Sequence, residues 1–135
     1  MKVFILIVCL FGMSFSSFAQ DNSSKEAISK TQKDLKDPIA RKKMLDTKSA
    51  KDADAAASAL AGDKGNLDEM YSISAELIGV IGEKAQGDPK KMQEYLERAQ
   101  KDPEAFLKSL PPAQQEKIRQ LSKKIEKSGA KKVAP

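Results

Sequence analysis

Asn66-Leu67-Asp68-Glu69-Met70-Tyr71-Ser72-Ile73-Ser74-Ala75-Glu76-Leu77-Ile78-Gly79-Val80-Ile81-Gly82 is the most apolar stretch beyond residue 19. Leu67, Met70, Tyr71, Leu77, Ile78 and Ile81 recur at the i, i+3, i+4 spacing of a helix face. Ile73 and Val80 widen that stripe beyond what an exposed surface helix carries, so this helix is expected at the centre of the core. Asn66, with Glu69 three residues on, reads as a capping-box-like start. Gly79 and Gly82 each lower helix propensity by roughly 1 kcal/mol relative to Ala. With Ser72 and Ala75 they fall on one side of the helix, which predicts the close approach of another backbone, with an Ala-rich helix as the expected neighbour. The other outcome is a helix that ends or kinks at Gly79.

That Ala-rich segment occupies residues 48 to 61, and Gly62-Asp63-Lys64-Gly65 separates it from the central stretch. Asp37-Pro38, Asp88-Pro89 and Asp102-Pro103 each open a further helix, because Asp accepts from free backbone N–H groups and Pro is tolerated at the first helical position. Met44 and Leu45, Met92 and Leu96, and Phe106 and Leu110 supply their apolar faces. The recurrence is shared helix-start chemistry; the last two openings are 14 residues apart, too short for the units that build solenoids. Leu110-Pro111-Pro112 makes a rigid break, and the last helix runs from about Pro112 to Ser128 with Ile118, Leu121 and Ile125 as its stripe. Residues 129–135 read as a basic flexible tail, and the polar residues 20–36, with Ile28 and Leu35 as the large apolar anchors, as a frayed or partly disordered lead. The scarcity of β-branched and aromatic residues argues against a sheet. The expectation is an all-α fold, a small bundle of about four to six helices over residues 37–128.

The N-terminus has the pattern of a cleaved signal peptide: Lys2, an apolar run from Val3 to Phe11, and Ser17-Phe18-Ala19 before the cut. Residues 1–19 are therefore expected to be removed, leaving a mature chain from Gln20 that is exported to the periplasm or outside the cell. The run is too short for a transmembrane anchor, and no second apolar run long enough to span follows. Cys9 leaves with the signal, so the mature chain has no cysteine and no disulfide.

Catalysis is excluded largely by subtraction. The chain has no histidine and, once processed, no thiol, which removes the usual base near neutral pH, a thiolate nucleophile and most transition-metal ligands. Ser128-Gly129-Ala130-Lys131 has the spacing of a Ser–Lys pair but lies in a Gly- and Lys-rich end unsuited to depressing a lysine pKa. Asp63-Lys64-Gly65-Asn66-Leu67-Asp68-Glu69 lacks the alternating acids and sixth-position Gly of an EF-hand loop. No enzyme activity, cofactor or metal is expected.

Charge is uneven: net +4 over residues 20–51, −4 over 52–69, −2 over 70–116 and +6 over 117–135. Lys117, Arg119, Lys123, Lys124, Lys127, Lys131 and Lys132 make the C-terminal end the candidate anionic docking surface, against the alternative of a solvated helix end whose cations suit the helix dipole. Nucleic acid is not expected, since aromatic residues for base stacking are missing there. Leu110-Pro111-Pro112-Ala113-Gln114 loosely resembles the Leu-Thr-x-x-Gln element of small helical periplasmic chaperones and metal-stress sensors. Pro111 stands in place of the Thr and one copy is present, so the resemblance assigns no family. Together these features point to an exported, non-catalytic interaction or chaperone-like binding module with a protein partner. The alternative is an envelope-associated factor docking on anionic lipid or polymer through its basic C-terminal helix.

Overall fold

The computed structural model describes the backbone of residues 24–133 and the side chains of residues 25–129. The expected signal peptide lies outside them. The described residues form α1 (Ser24–Lys36), α2 (Pro38–Met44), α3 (Lys48–Ala61), α4 (Lys64–Lys84), α5 (Pro89–Lys101), α6 (Pro103–Ser109) and α7 (Pro112–Val133), with no strand among them. Seven helices exceed the expected four to six because the polar lead is itself a helix, α1.

The helix ends follow the local chemistry. Asp37, Asp88 and Asp102 cap α2, α5 and α6, accepting from Ile39 N at 2.8 Å, Lys90 N at 2.9 Å and Ala105 N at 2.9 Å, each with Pro at the next position. Thr47 caps α3, and Gly62 closes it in the left-handed region at φ +74°. The cap of α4 is Asp63, not Asn66: the Asp63 carboxylate accepts from Asn66 N at 2.8 Å. Asn66 is buried instead, its Nδ2 donating to the Ala61 carbonyl and to Asp63 Oδ2, both at 2.9 Å. Gly62 allows that reach, because its left-handed turn brings the end of α3 beside the start of α4.

The 21-residue α4 is the centre of the bundle. Met70, Ile73, Leu77, Ile78 and Ile81 are buried on it and meet Ala57 and Ala61 of α3, Met92 and Leu96 of α5, Phe106 of α6 and Ile118, Leu121 and Ile125 of α7 in one core. Burial removes apolar surface from water at about 25 cal/mol per Å², the dominant favourable contribution to a domain with no disulfide. α4 runs unbroken through Gly79 and Gly82 to Lys84.

The helix that packs most extensively on α4 is α1, not the Ala-rich α3. Ile28 is buried over Gly82, where an added Cβ would stand 2.9 Å from Ile28 Cδ1. One turn on, Gln32 lies over Gly79, where a Cβ would stand 2.4 Å from its Nε2. The two glycines thus admit side chains of α1 rather than a bare alanine backbone. α1 is sparse in apolar residues, yet Ile28 and Gln32 sit at i and i+4 and match the i and i+3 glycines of α4. α7 continues past the Ser128 boundary to Val133.

Candidate docking surface on the C-terminal helix

The seven basic residues singled out from the sequence lie along α7, and its packing divides them. Ile118, Leu121 and Ile125 are buried against the core, fixing which flanks face α4 and which face water. Lys117 Nζ lies 2.7 and 2.8 Å from the two carboxylate oxygens of Glu76. Lys124 Nζ lies 2.7 Å from Glu69 Oε2. Both acids belong to α4 and stand two turns apart, so they meet two lysines of α7 spaced by the same distance along the chain. These charges are compensated within the molecule and are weak candidates for a partner.

Arg119, Lys123 and Lys127 follow one another at four-residue steps on the outward side of α7, and all three are exposed. They have no ion-pair partner among the described residues. Lys131 and Lys132 belong to α7, but their side chains lie outside those described. Among the residues whose side chains are described, the candidate surface thus contracts to Arg119, Lys123 and Lys127. Glu116 and Glu126 are the acids carried by the same helix.

Beside this stripe runs a groove between α6 and α7, lined by Pro103 and Leu107 from one helix and Ile118, Arg119, Ser122, Lys123 and Glu126 from the other. The floor is apolar, through Pro103, Leu107 and Ile118, and Arg119 and Lys123 stand on its rim. α6 holds its place through Phe106, which is buried in the core. Such a surface offers apolar contact flanked by positive charge one helical turn apart.

The segment that carries the loose chaperone resemblance serves the fold. Gln115 Nε2 donates to the Leu110 carbonyl at 2.8 Å, closing the Pro111–Pro112 corner, and Gln114 Nε2 donates to Glu76 Oε2 at 3.4 Å. Ser128, the serine of the Ser-x-x-Lys spacing, accepts from Asn66 Nδ2 at 3.3 Å and donates to Asp63 Oδ2 at 3.5 Å, tying α7 to the turn between α3 and α4.

A second polar cluster was not visible in the sequence. The Arg41 guanidinium lies 4.3 Å from the centroid of the Tyr71 ring, donates to the Leu35 carbonyl at 3.3 Å and pairs with Asp68. The Tyr71 hydroxyl donates to Asp54. Burial first, and then the Asp54 carboxylate, hold the phenol well above its ordinary value of 10.0, while Arg41 acts in the opposite direction. Tyr71 therefore stays a neutral donor that joins α3 to α4, with Arg41 joining α2. No helix among the described residues is long and apolar enough to cross a membrane, and no three His, Cys, Asp or Glu residues among them gather as a metal site would need.

Comparison with protein-family models, with curated proteins and with solved structures finds no match for this chain.

Proposed function

We propose that the protein is a small, exported, non-catalytic interaction module that holds another protein along α7 and the α6–α7 groove. The observation that carries this reading is the division of the basic residues. Two are held by Glu76 and Glu69, whereas Arg119, Lys123 and Lys127 face water beside an apolar floor. A lone solvated helix end would supply the charges without the floor. A partner segment with an apolar side chain flanked by carboxylates one turn apart satisfies both parts of the surface. Export rests on the signal-peptide pattern at residues 1–19, and the absence of histidine from the chain supports the non-catalytic reading.

Affinity capture from the cell envelope, eluted in salt steps, tests the proposal. Retention through the groove should persist above physiological ionic strength, where exposed charge pairs are screened, and this salt-resistant part should be lost in the variant Leu107→Asp. Complete release by salt, with Leu107→Asp eluting as the parent does, would overturn the groove reading, and loss of that salt-sensitive retention on reversing Arg119, Lys123 and Lys127 to Glu would assign the α7 surface to an anionic polymer or lipid.

A further inference from the structure

Beyond the α7 surface, and independently of it, we propose that the outer face of α2 is a docking surface for an anionic lipid bilayer, with Ile39 as its apolar tip. Ile39 is the one large hydrophobic residue left exposed among the described residues, at 70 %. Its surroundings make it more than a stray surface residue. Arg41, Met44 and Leu45 are partly covered, and Arg41 is fastened to Asp68 and stacked on Tyr71. The opposite face therefore carries Ile39 with Lys42 and Lys43, which at i+3 and i+4 stand side by side one turn further along the helix. Asp37 fixes this register by capping the helix, and Pro38 sets its first turn.

The segment that carries the tip is positive. Between residues 36 and 48 Lys36, Lys42, Lys43 and Lys48 are exposed, against Asp37, whose carboxylate is occupied with the α2 cap, and Asp46. Long lysine side chains lay their methylenes along apolar surroundings while the ammonium stays in water. A face of this kind, an isoleucine with two lysines one turn away, suits the boundary between headgroups and acyl chains, where the isoleucine enters and the lysines meet anionic phosphates. It suits a protein partner poorly. A stable protein contact covers about 800 Å² on each side around an apolar centre, and one isoleucine on a convex helix offers no groove. A fluid bilayer surface needs no shape complementarity.

Cosedimentation with vesicles of phosphatidylcholine alone, and of phosphatidylcholine mixed with phosphatidylglycerol, tests the proposal. The protein should pellet with the mixed vesicles and not with the neutral ones. Binding should fall about fivefold for each lysine neutralised, so Lys42→Gln with Lys43→Gln should lower it by roughly 25-fold. Ile39→Ser should lower it several-fold and Ile39→Leu should preserve it. The chain contains no tryptophan, so Ile39→Trp supplies a single probe whose emission should shift to the blue on the mixed vesicles and be quenched by brominated acyl chains. Arg119→Glu, Lys123→Glu and Lys127→Glu together should leave vesicle binding in place. The proposal is overturned if mixed vesicles are not bound, if Ile39→Ser binds as the parent does, or if the α7 variant alone abolishes binding. Retention unchanged by Ile39→Ser but sensitive to salt would mark adsorption to any polyanion. These results leave the groove reading untouched, because its test turns on Leu107.

Discussion

Gln32 Nε2 donates a hydrogen bond of 2.9 Å to the main-chain carbonyl of Ala75, reaching across the contact between α1 and α4 at the point where Gly79 leaves room. That bond, with Ile28 seated over Gly82, ties a helix poor in apolar residues to the centre of the core. The two glycines should consequently respond differently to substitution. At Gly79 the crowding falls on the far end of the flexible Gln32 side chain, so Gly79→Ala exchanges one hydrogen bond for about 1 kcal/mol of helix propensity and should leave the melting temperature nearly unchanged. Gly82→Leu meets the buried Ile28 and should release α1, lowering helicity and stability together in a circular-dichroism melt. Equal tolerance at both positions would contradict this account of how α1 is held.

The core itself should be the most sensitive part of the chain. Leu77 and Leu121 are 1 % and 0 % exposed, and replacing either with Ala should cost about 2–5 kcal/mol, a large fraction of the stability of so small a domain. Lys33→Ala, at an exposed position of α1, should change stability by less than about 0.5 kcal/mol. Urea unfolding of the variants compares the two classes; similar midpoints would mean that the apolar stripe of α4 is not the core.

Tyr71 makes stability depend on alkaline pH. Its phenol ionises at a higher pH in the folded than in the unfolded chain, so its contribution is fully present below the ordinary value of 10.0 and is lost as pH rises from there toward the folded value. The chain has two tyrosines, so Tyr95→Phe leaves Tyr71 as the sole tyrosinate chromophore. Its absorbance should rise only well above pH 10.0, together with loss of helicity, and Tyr71→Phe should weaken the alkaline dependence of stability. A sole Tyr71 titrating at its ordinary value in a folded chain would overturn the buried Tyr71–Asp54 arrangement.

The two ion pairs of α7 separate structural from available charge. Lys124→Glu places two carboxylates together at Glu69 and should lower stability by about 1 kcal/mol, as the loss of a half-exposed attraction and its replacement by a repulsion. Lys123→Glu, on the outward side, should change stability by less than about 0.5 kcal/mol in either direction. Thermal melts at low and high salt check this: a difference between the two variants that persists unchanged at high salt is not electrostatic.

Helix type was legible because single residues force it. Three Asp–Pro openings, Gly62 and the double proline act within one turn, and each lies at a helix end in the structure. The stripe of α4 also revealed itself, through the recurrence of large apolar residues. Partnerships between helices were less legible. Gly79 and Gly82 announced a close neighbour, but the choice of α1 over α3 turns on Ile28 and Gln32 meeting the two glycines in register, which no local pattern displays. The same holds for the cations. Lys124 and Lys123 are adjacent and chemically alike, and only the position of Glu69 makes one a tie and leaves the other facing water. Arg41 was hidden among the basic residues of its segment, although its distance from Tyr71 and Asp68 makes it part of the core's edge.

Site-specific photocrosslinking in the source cell tests the binding reading most directly. A benzophenone side chain placed at Leu107 or at Lys123 borders the α6–α7 groove, while one at Gln93 lies exposed on α5 as the control. The account predicts that one and the same protein adduct forms from positions 107 and 123 and none from 93, and that Arg119→Glu weakens it. Adducts as abundant from Gln93 as from the groove, or none from either groove position, would contradict it.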